Sequence, residues 1–104
     1  MSTIPEMNAE TLNRKISDGE DITIVDVRED EEVEEGMIPG ALHVRLGELP
    51  HRYDELNKED HHVLVCRSGR RSMKASEFLK DNGFSNVTNL EGGMLSWSGD
   101  LSYK

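Results

Sequence analysis

The sequence predicts an α/β domain, a parallel sheet covered by helices on both faces. Two observations carry this. Short apolar or β-branched runs alternate along the chain with stretches of helical spacing. The runs at 22–28 and 63–65 also read as buried central strands, and parallel neighbours need helical crossovers between them. With 104 residues and no internal repeat or linker, one domain spanning 1–104 is expected, large enough for a single core without disulfides.

Residues 2–7 contain Ile4-Pro5 and read as an extended arm or short edge strand. Asn8 is placed to cap a helix reaching Ser17, with Leu12 and Ile16 four apart on one face, and residues 18–21 end it. Residues 22–28, Ile-Thr-Ile-Val-Asp-Val-Arg, form a β-branched strand with Asp26 and Arg28 at its C-terminal end. Residues 29–35 are acidic except for Val33. They read as a solvated short helix with Val33 packed inward, the alternative being a docking patch for a basic partner. Residues 36–40 are a turn fixed by Pro39 and Gly40, and 41–44 a short strand. Leu46, Leu49, Tyr53 and Leu56 recur at helical steps, and Pro50 must bend or restart that helix. Residues 87–90 read as the last strand, followed by a Gly92-Gly93 turn into a short helix with Met94, Leu95 and Trp97, the last expected in the core.

The informative stretch is Val63-Leu64-Val65-Cys66-Arg67-Ser68-Gly69-Arg70-Arg71-Ser72. Three apolar residues end at the single cysteine, and Gly69 permits a sharp turn. From Ser72, Met73, Ala75, Phe78 and Leu79 recur at helical spacing until Asn82-Gly83 stops them. Cys66 therefore lies at a strand's C-terminal edge facing a helix N-terminus, where open α/β sheets bind ligands. Backbone amides of residues 67–71 can form an anion-holding nest, and Arg67, Arg70, Arg71 and Lys74 add positive charge. Such surroundings lower a thiol pKa, and the thiolate is the nucleophile. A free cysteine is more usually a small buried hydrophobe, but a packing role needs no cationic loop.

Composition narrows the function classes. Twelve Lys and Arg against twenty-one Asp and Glu give a net charge of −9, which argues against nucleic-acid or anionic-membrane partners. One cysteine excludes an internal disulfide, a CxxC redox pair and a Cys-rich zinc site. His43, His51, His61 and His62 show no metal-ligand spacing and read as surface or strand-edge residues, so neither metal nor cofactor is expected. No signal peptide or membrane-spanning run is read, and a cytoplasmic location is the expectation.

Four segments together resemble the rhodanese (sulfurtransferase) family. They are Ile24-Val25-Asp26-Val27-Arg28, Gly36-Met37-Ile38-Pro39-Gly40-Ala41, the loop from Cys66 to Ser72, and Leu90-Glu91-Gly92-Gly93-Met94 with Trp97. The resemblance covers residues 4–101 and implies a five-stranded parallel sheet flanked by helices. It implies that Cys66 takes sulfur from a small anionic donor such as thiosulfate. A Cys66 persulfide forms, and its sulfur passes to a thiol, cyanide or protein acceptor. Arg67, Ser68, Gly69, Arg70 and Arg71 would form the persulfide-binding loop, with Asp26, Arg28 and Ser72 in support. Arg71 is expected to turn inward toward Asp26. Met37 stands where the family motif usually has a histidine of structural role. The rival readings are a phosphatase or arsenate reductase of this fold and a non-catalytic partner-binding module. The first uses a Cys-x5-Arg loop, whereas here the sixth residue after Cys66 is Ser72.

Overall fold

The computed structural model describes residues 4–103. Five strands form one parallel sheet in the order β1-β5-β4-β2-β3. They are β1 (Glu6–Met7), β2 (Thr23–Asp26), β3 (Leu42–His43), β4 (His62–Val65) and β5 (Val87–Leu90). The helices are α1 (Ala9–Ser17), α2 (Asp30–Val33), α3 (Leu49–Arg52) and α4 (Arg70–Asp81). Of the expected N-terminal arm, Ser2 and Thr3 lie outside the described residues. The rest supplies β1 on the sheet edge beside β5.

Strand side chains alternate between faces, and this divides the core in two. Val25, Val27, Leu64 and Val87 point to one face, where α4 contributes Ala75 and Leu79 and the α3 region contributes Leu49 and Leu56. Ile24, Val63, Val65 and Leu90 point to the other, against Leu12 and Ile16 of α1 and Ile38. Cys66 belongs to the α4 face. β2 and β4 are both bounded by buried layers, which is why they read in the sequence as near-continuous apolar runs.

Local chemistry sets the helix ends. The Asn8 side chain accepts a hydrogen bond from the Thr11 amide at 2.8 Å and caps α1. Residues 46–56 are not one helix. A 3-10 turn at Leu46–Glu48 precedes the four-residue α3, and another at Tyr53–Glu55 follows it. Pro50 lies in the first turn of α3, where its missing N–H costs nothing, and forces the restart. The segment after Gly92 is likewise a 3-10 turn, Gly93–Ser96. Residues 29–35 contain α2, with Val33 fully buried as its apolar character requires.

The sheet order places the ends of β2 and β4 side by side. From β4 the chain passes through α4 to β5 on one side, while β2 is flanked by β3 on the other. A crevice opens where connections diverge in this way, and Cys66 follows β4 at that point.

His62 corrects the expectation of surface or strand-edge histidines. It is fully buried in β4, between Thr23 of β2 and Val87 of β5, with its ring edge-on to Phe84 at 5.2 Å. Neither ring nitrogen has a hydrogen-bond partner. Burial lowers its pKa; the Asp60 backbone and carboxylate favour the cation and offset this in part, without reaching hydrogen-bonding geometry. A depressed folded-state pKa gives stability that is complete above the unfolded value of about 6.5 and lost as pH falls through the folded value. His62→Leu is therefore expected to raise stability by about 1–2 kcal/mol at pH 7. It should also flatten the decline in denaturation midpoint below pH 6.5. An unchanged pH profile would show that His62 does not cause that decline.

Candidate functional site

The loop between β4 and α4 is built around the Cys66 sulfur. The side chain is 1% exposed. The Gly69 amide donates to Sγ at 3.0 Å and the Ser72 hydroxyl donates to it at 3.2 Å. Gly69 adopts φ +103°, a conformation L side chains rarely take, and this turns its N–H toward the sulfur. Burial pushes the thiol pKa up. The Ser72 hydroxyl, followed by the Ser72, Gly69 and Ser68 amides, outweighs burial and holds the pKa below its ordinary value. The donors thus differ from the expected run of amides 67–71: Ser72, foreseen only as a supporting residue, touches the sulfur directly.

Two segments brace the loop from below. Asn89 of β5 shares the sheet face of Val87, and its Nδ2 donates to the Gly69 carbonyl at 3.1 Å and to Glu6 of β1 at 3.0 Å. The Met94 amide donates to the Cys66 carbonyl at 2.9 Å, and the Leu95 amide to the Arg67 carbonyl at 3.0 Å. Gly93 (φ +55°) permits that approach, since a Cβ there would collide with the backbone of Cys66 and Arg67. Asn89 carried no signal in the sequence, because its partners are twenty and eighty-three residues away.

The four arginines of the site divide into two kinds. Arg28 is buried: its guanidinium grips both Asp26 oxygens at 2.8–3.1 Å and donates to the Glu32 and Gly36 carbonyls. Asp26 is therefore Arg28's partner, which corrects the expected Arg71–Asp26 pairing. Arg71 instead meets Glu32 of α2 in a two-pronged ion pair, 2.7 and 2.8 Å. Arg67 and Arg70 are exposed and make no ion pair among the described residues. They keep their charge available to an anion.

Nothing in the sequence marks Glu32, because it lies inside the acidic run. Only the packing of α2, with Val33 inward, brings it to the loop. The Arg71 hydrogen bonds hold its pKa at about 2, against burial, with help from the Glu29 amide and the Arg71 and Arg28 charges. The two side chains are 34% and 27% exposed for Arg71 and Glu32, so solvent screens the pair.

A cleft of about 420 Å³ adjoins the loop, lined by Arg28, Glu32, Glu35, Gly36, Arg67, Met94, Leu95, Trp97 and Leu101. Trp97 is half-buried and contributes to the core as well as to the cleft wall. Cys66 itself does not line the cleft; Arg67 marks the border between them. Among the described residues no cluster of His, Cys, Asp and Glu is arranged to hold a metal ion.

Glu32→Gln is expected to cost about 1 kcal/mol of stability, typical of a screened ion pair. The sign of the pH dependence follows from the depressed carboxylate. The pair's contribution is complete above about pH 4.5, the ordinary glutamate value, and fades as pH falls through about 2. Chemical denaturation at pH 7 and pH 2 should show a difference between wild type and variant that narrows in acid. A constant difference would assign the loss to packing.

The chain is similar to proteins of one family. The family model for the Rhodanese-like domain matches residues 8–100. A sulfurtransferase from Allochromatium vinosum is 38% identical over 95 residues, covering 91% of this chain and 89% of its own length. The Bacillus subtilis protein YtwF is 46% identical over 101 residues, 97% of each chain. The crystal structure of a rhodanese-like domain protein from Staphylococcus aureus superposes with a TM-score of 0.90 at 34% identity, covering 97% of this chain and 99% of that one. From these matches and the parallel five-stranded sheet, the chain belongs to the rhodanese-like domain family.

Proposed function

We propose that this protein is a sulfurtransferase in which Cys66 is the nucleophile and persulfide carrier. The observation that carries the reading is the pair of donors on Sγ, the Gly69 amide and the Ser72 hydroxyl. They favour an anionic sulfur in a buried position, where a thiol would otherwise stay protonated. The sulfurtransferase from Allochromatium vinosum supports the same class of reaction.

In the loading step the Cys66 thiolate attacks the outer sulfur of thiosulfate. A Cys66 S–S bond forms, the donor's S–S bond breaks, and sulfite leaves with its electron pair. Arg67 and Arg70, unpaired among the described residues, draw the dianionic donor to the loop. The persulfide anion then lies among the amide and hydroxyl donors, which need no reorganisation to receive it. Splitting the transfer in two lets donor and acceptor react in turn with one carrier. Neither step calls on a metal or cofactor. A lone thiol kept reduced suits the cytoplasm.

The position of Ser72 weighs against phosphatase chemistry. A Cys-x5-Arg loop needs a guanidinium at that place to clamp a tetrahedral oxyanion. Here a hydroxyl occupies it and is turned onto the sulfur.

Incubation with thiosulfate is expected to add one sulfur atom to the intact mass, and cyanide to remove it. Cys66→Ser should gain nothing. If folded, reduced wild type gains no sulfur from thiosulfate or from polysulfide, the reading is wrong. Ser72→Ala should keep the carrier but slow alkylation of Cys66 by iodoacetamide at pH 7 by roughly five-fold, the equivalent of one hydrogen bond of about 1 kcal/mol. An unchanged rate would remove Ser72 from the thiolate's support.

A further inference from the structure

The cleft beside the loop has a chemistry that a small inorganic donor leaves unused. Met94, Leu95 and Trp97 form an apolar wall, and Leu101, whose side chain packs at Gly36 just after α2, adds a further apolar contact. Leu95 is 67% exposed and Leu101 43%. The bonds from the Met94 and Leu95 amides to the Cys66 and Arg67 carbonyls start this wall at the loop itself. The α2 segment and the turn after it add Glu32 and Glu35 to the cleft lining. Glu32 is engaged by Arg71, but Glu31, Glu34 and Glu35 have no ion-pair partner among the described residues. At the border with Cys66 stands the exposed Arg67. A volume of about 420 Å³ is in the range that takes drug-sized groups, well beyond an ion of five heavy atoms.

We propose that the cleft seats the sulfur acceptor, and that the acceptor is a protein segment whose cysteine has a bulky apolar neighbour and flanking Lys or Arg residues. This rests on the sulfurtransferase reading above. Each part of the segment meets its complement. The apolar neighbour covers Leu95 and Leu101, which are otherwise left in water. The basic flank meets Glu34 and Glu35, and a net charge of −9 steers such a partner from a distance. The acceptor thiolate is drawn to Arg67, at the edge of the persulfide loop. A small anionic thiol such as glutathione offers neither the apolar group nor the positive flank.

The transfer balances without an oxidant. The persulfide anion first takes a proton from water; the acceptor thiolate then attacks its outer sulfur, and a new S–S bond forms to the acceptor. The Cys66 S–S bond breaks, and its electron pair stays with Cys66 as thiolate. The proton remains on the transferred sulfur until water takes it.

The test uses wild type loaded with sulfur and freed of donor, then offered Lys-Lys-Leu-Cys-Lys, Lys-Lys-Gly-Cys-Lys, Glu-Glu-Leu-Cys-Glu or glutathione. Each discharge rate, read by intact mass, is divided by the same sample's discharge rate to cyanide. The leucine peptide should outpace the glycine peptide about five-fold, as half-burial of a leucine allows. It should outpace the glutamate peptide about ten-fold at low salt, a gap that narrows as salt is added. Leu95→Ser should erase the leucine preference, and Glu34→Lys with Glu35→Lys should reverse the charge preference. The variant comparison cancels differences in intrinsic thiol reactivity between peptides. Equal peptide rates, preferences that persist in the variants, or glutathione as the fastest acceptor would each overturn the proposal. Failure to load or to discharge to cyanide would instead reject the sulfurtransferase reading, and this inference with it.

Discussion

The hydrogen bond from the Gly69 amide to the Cys66 sulfur is the contact on which the site depends. It requires a left-handed residue three positions after the cysteine, and glycine supplies it without a Cβ penalty. It also requires that the turn on both sides of Gly69 stay fixed. Asn89 meets that need by holding the Gly69 carbonyl from below, while Glu6 fixes Asn89 in turn. The amides of Met94 and Leu95 hold the two peptides before the turn. A buried sulfur is thus surrounded by donors whose own positions are fixed by the ends of three strands and by the turn after β5. Preorganisation of this kind is what lets a low-dielectric site favour an anion.

A second set of contacts decides which charges remain free. Asp26 and Arg28 neutralise one another inside the protein, and the same guanidinium reaches the carbonyls of Glu32 and Gly36. That clamps α2 and its following turn to the end of β2. α2 in turn presents Glu32 to Arg71 in the first turn of α4. The loop is therefore tied to β2 through a relay of ion pairs and backbone bonds, and Arg71 is spent on structure. Arg67 and Arg70 are left to face solvent at the mouth of the site. In a chain of net charge −9, this local excess of positive charge is bounded on one side by acidic α2, so the approach to the sulfur changes sign within a short distance.

Much of this was legible in the sequence. The run 63–65 ending at Cys66, the glycine turn and the helical spacing after it placed the thiol at a strand end before a helix, and the structure puts it there. Val33 was expected inward, and it is fully buried. These features are local, and their periodicity or turn chemistry expresses them directly. What was not legible is pairing across distance. Arg71 and Glu32 are thirty-nine residues apart, and nothing in a run of six acidic residues marks one of them as the partner. Asp26 has two candidate arginines in the sequence, and Arg28, not the expected Arg71, reaches both of its oxygens. His62 looked like a strand-edge residue because histidine is usually wet. Its place in a central strand buries it, whatever its intrinsic preference.

The sequence by itself determined the alternation of strands and helices, the position of the single thiol and the glycine that turns the chain beneath it. These follow from spacing and from backbone conformations that few residues can adopt. Only the tertiary structure decided which donors reach the sulfur, which arginines stay free, and that Leu95 and Leu101 line the cleft beside the loop instead of joining the core. Those outcomes depend on the sheet order, because it brings the ends of β2, β4 and β5 together and places segments remote in sequence within hydrogen-bonding distance.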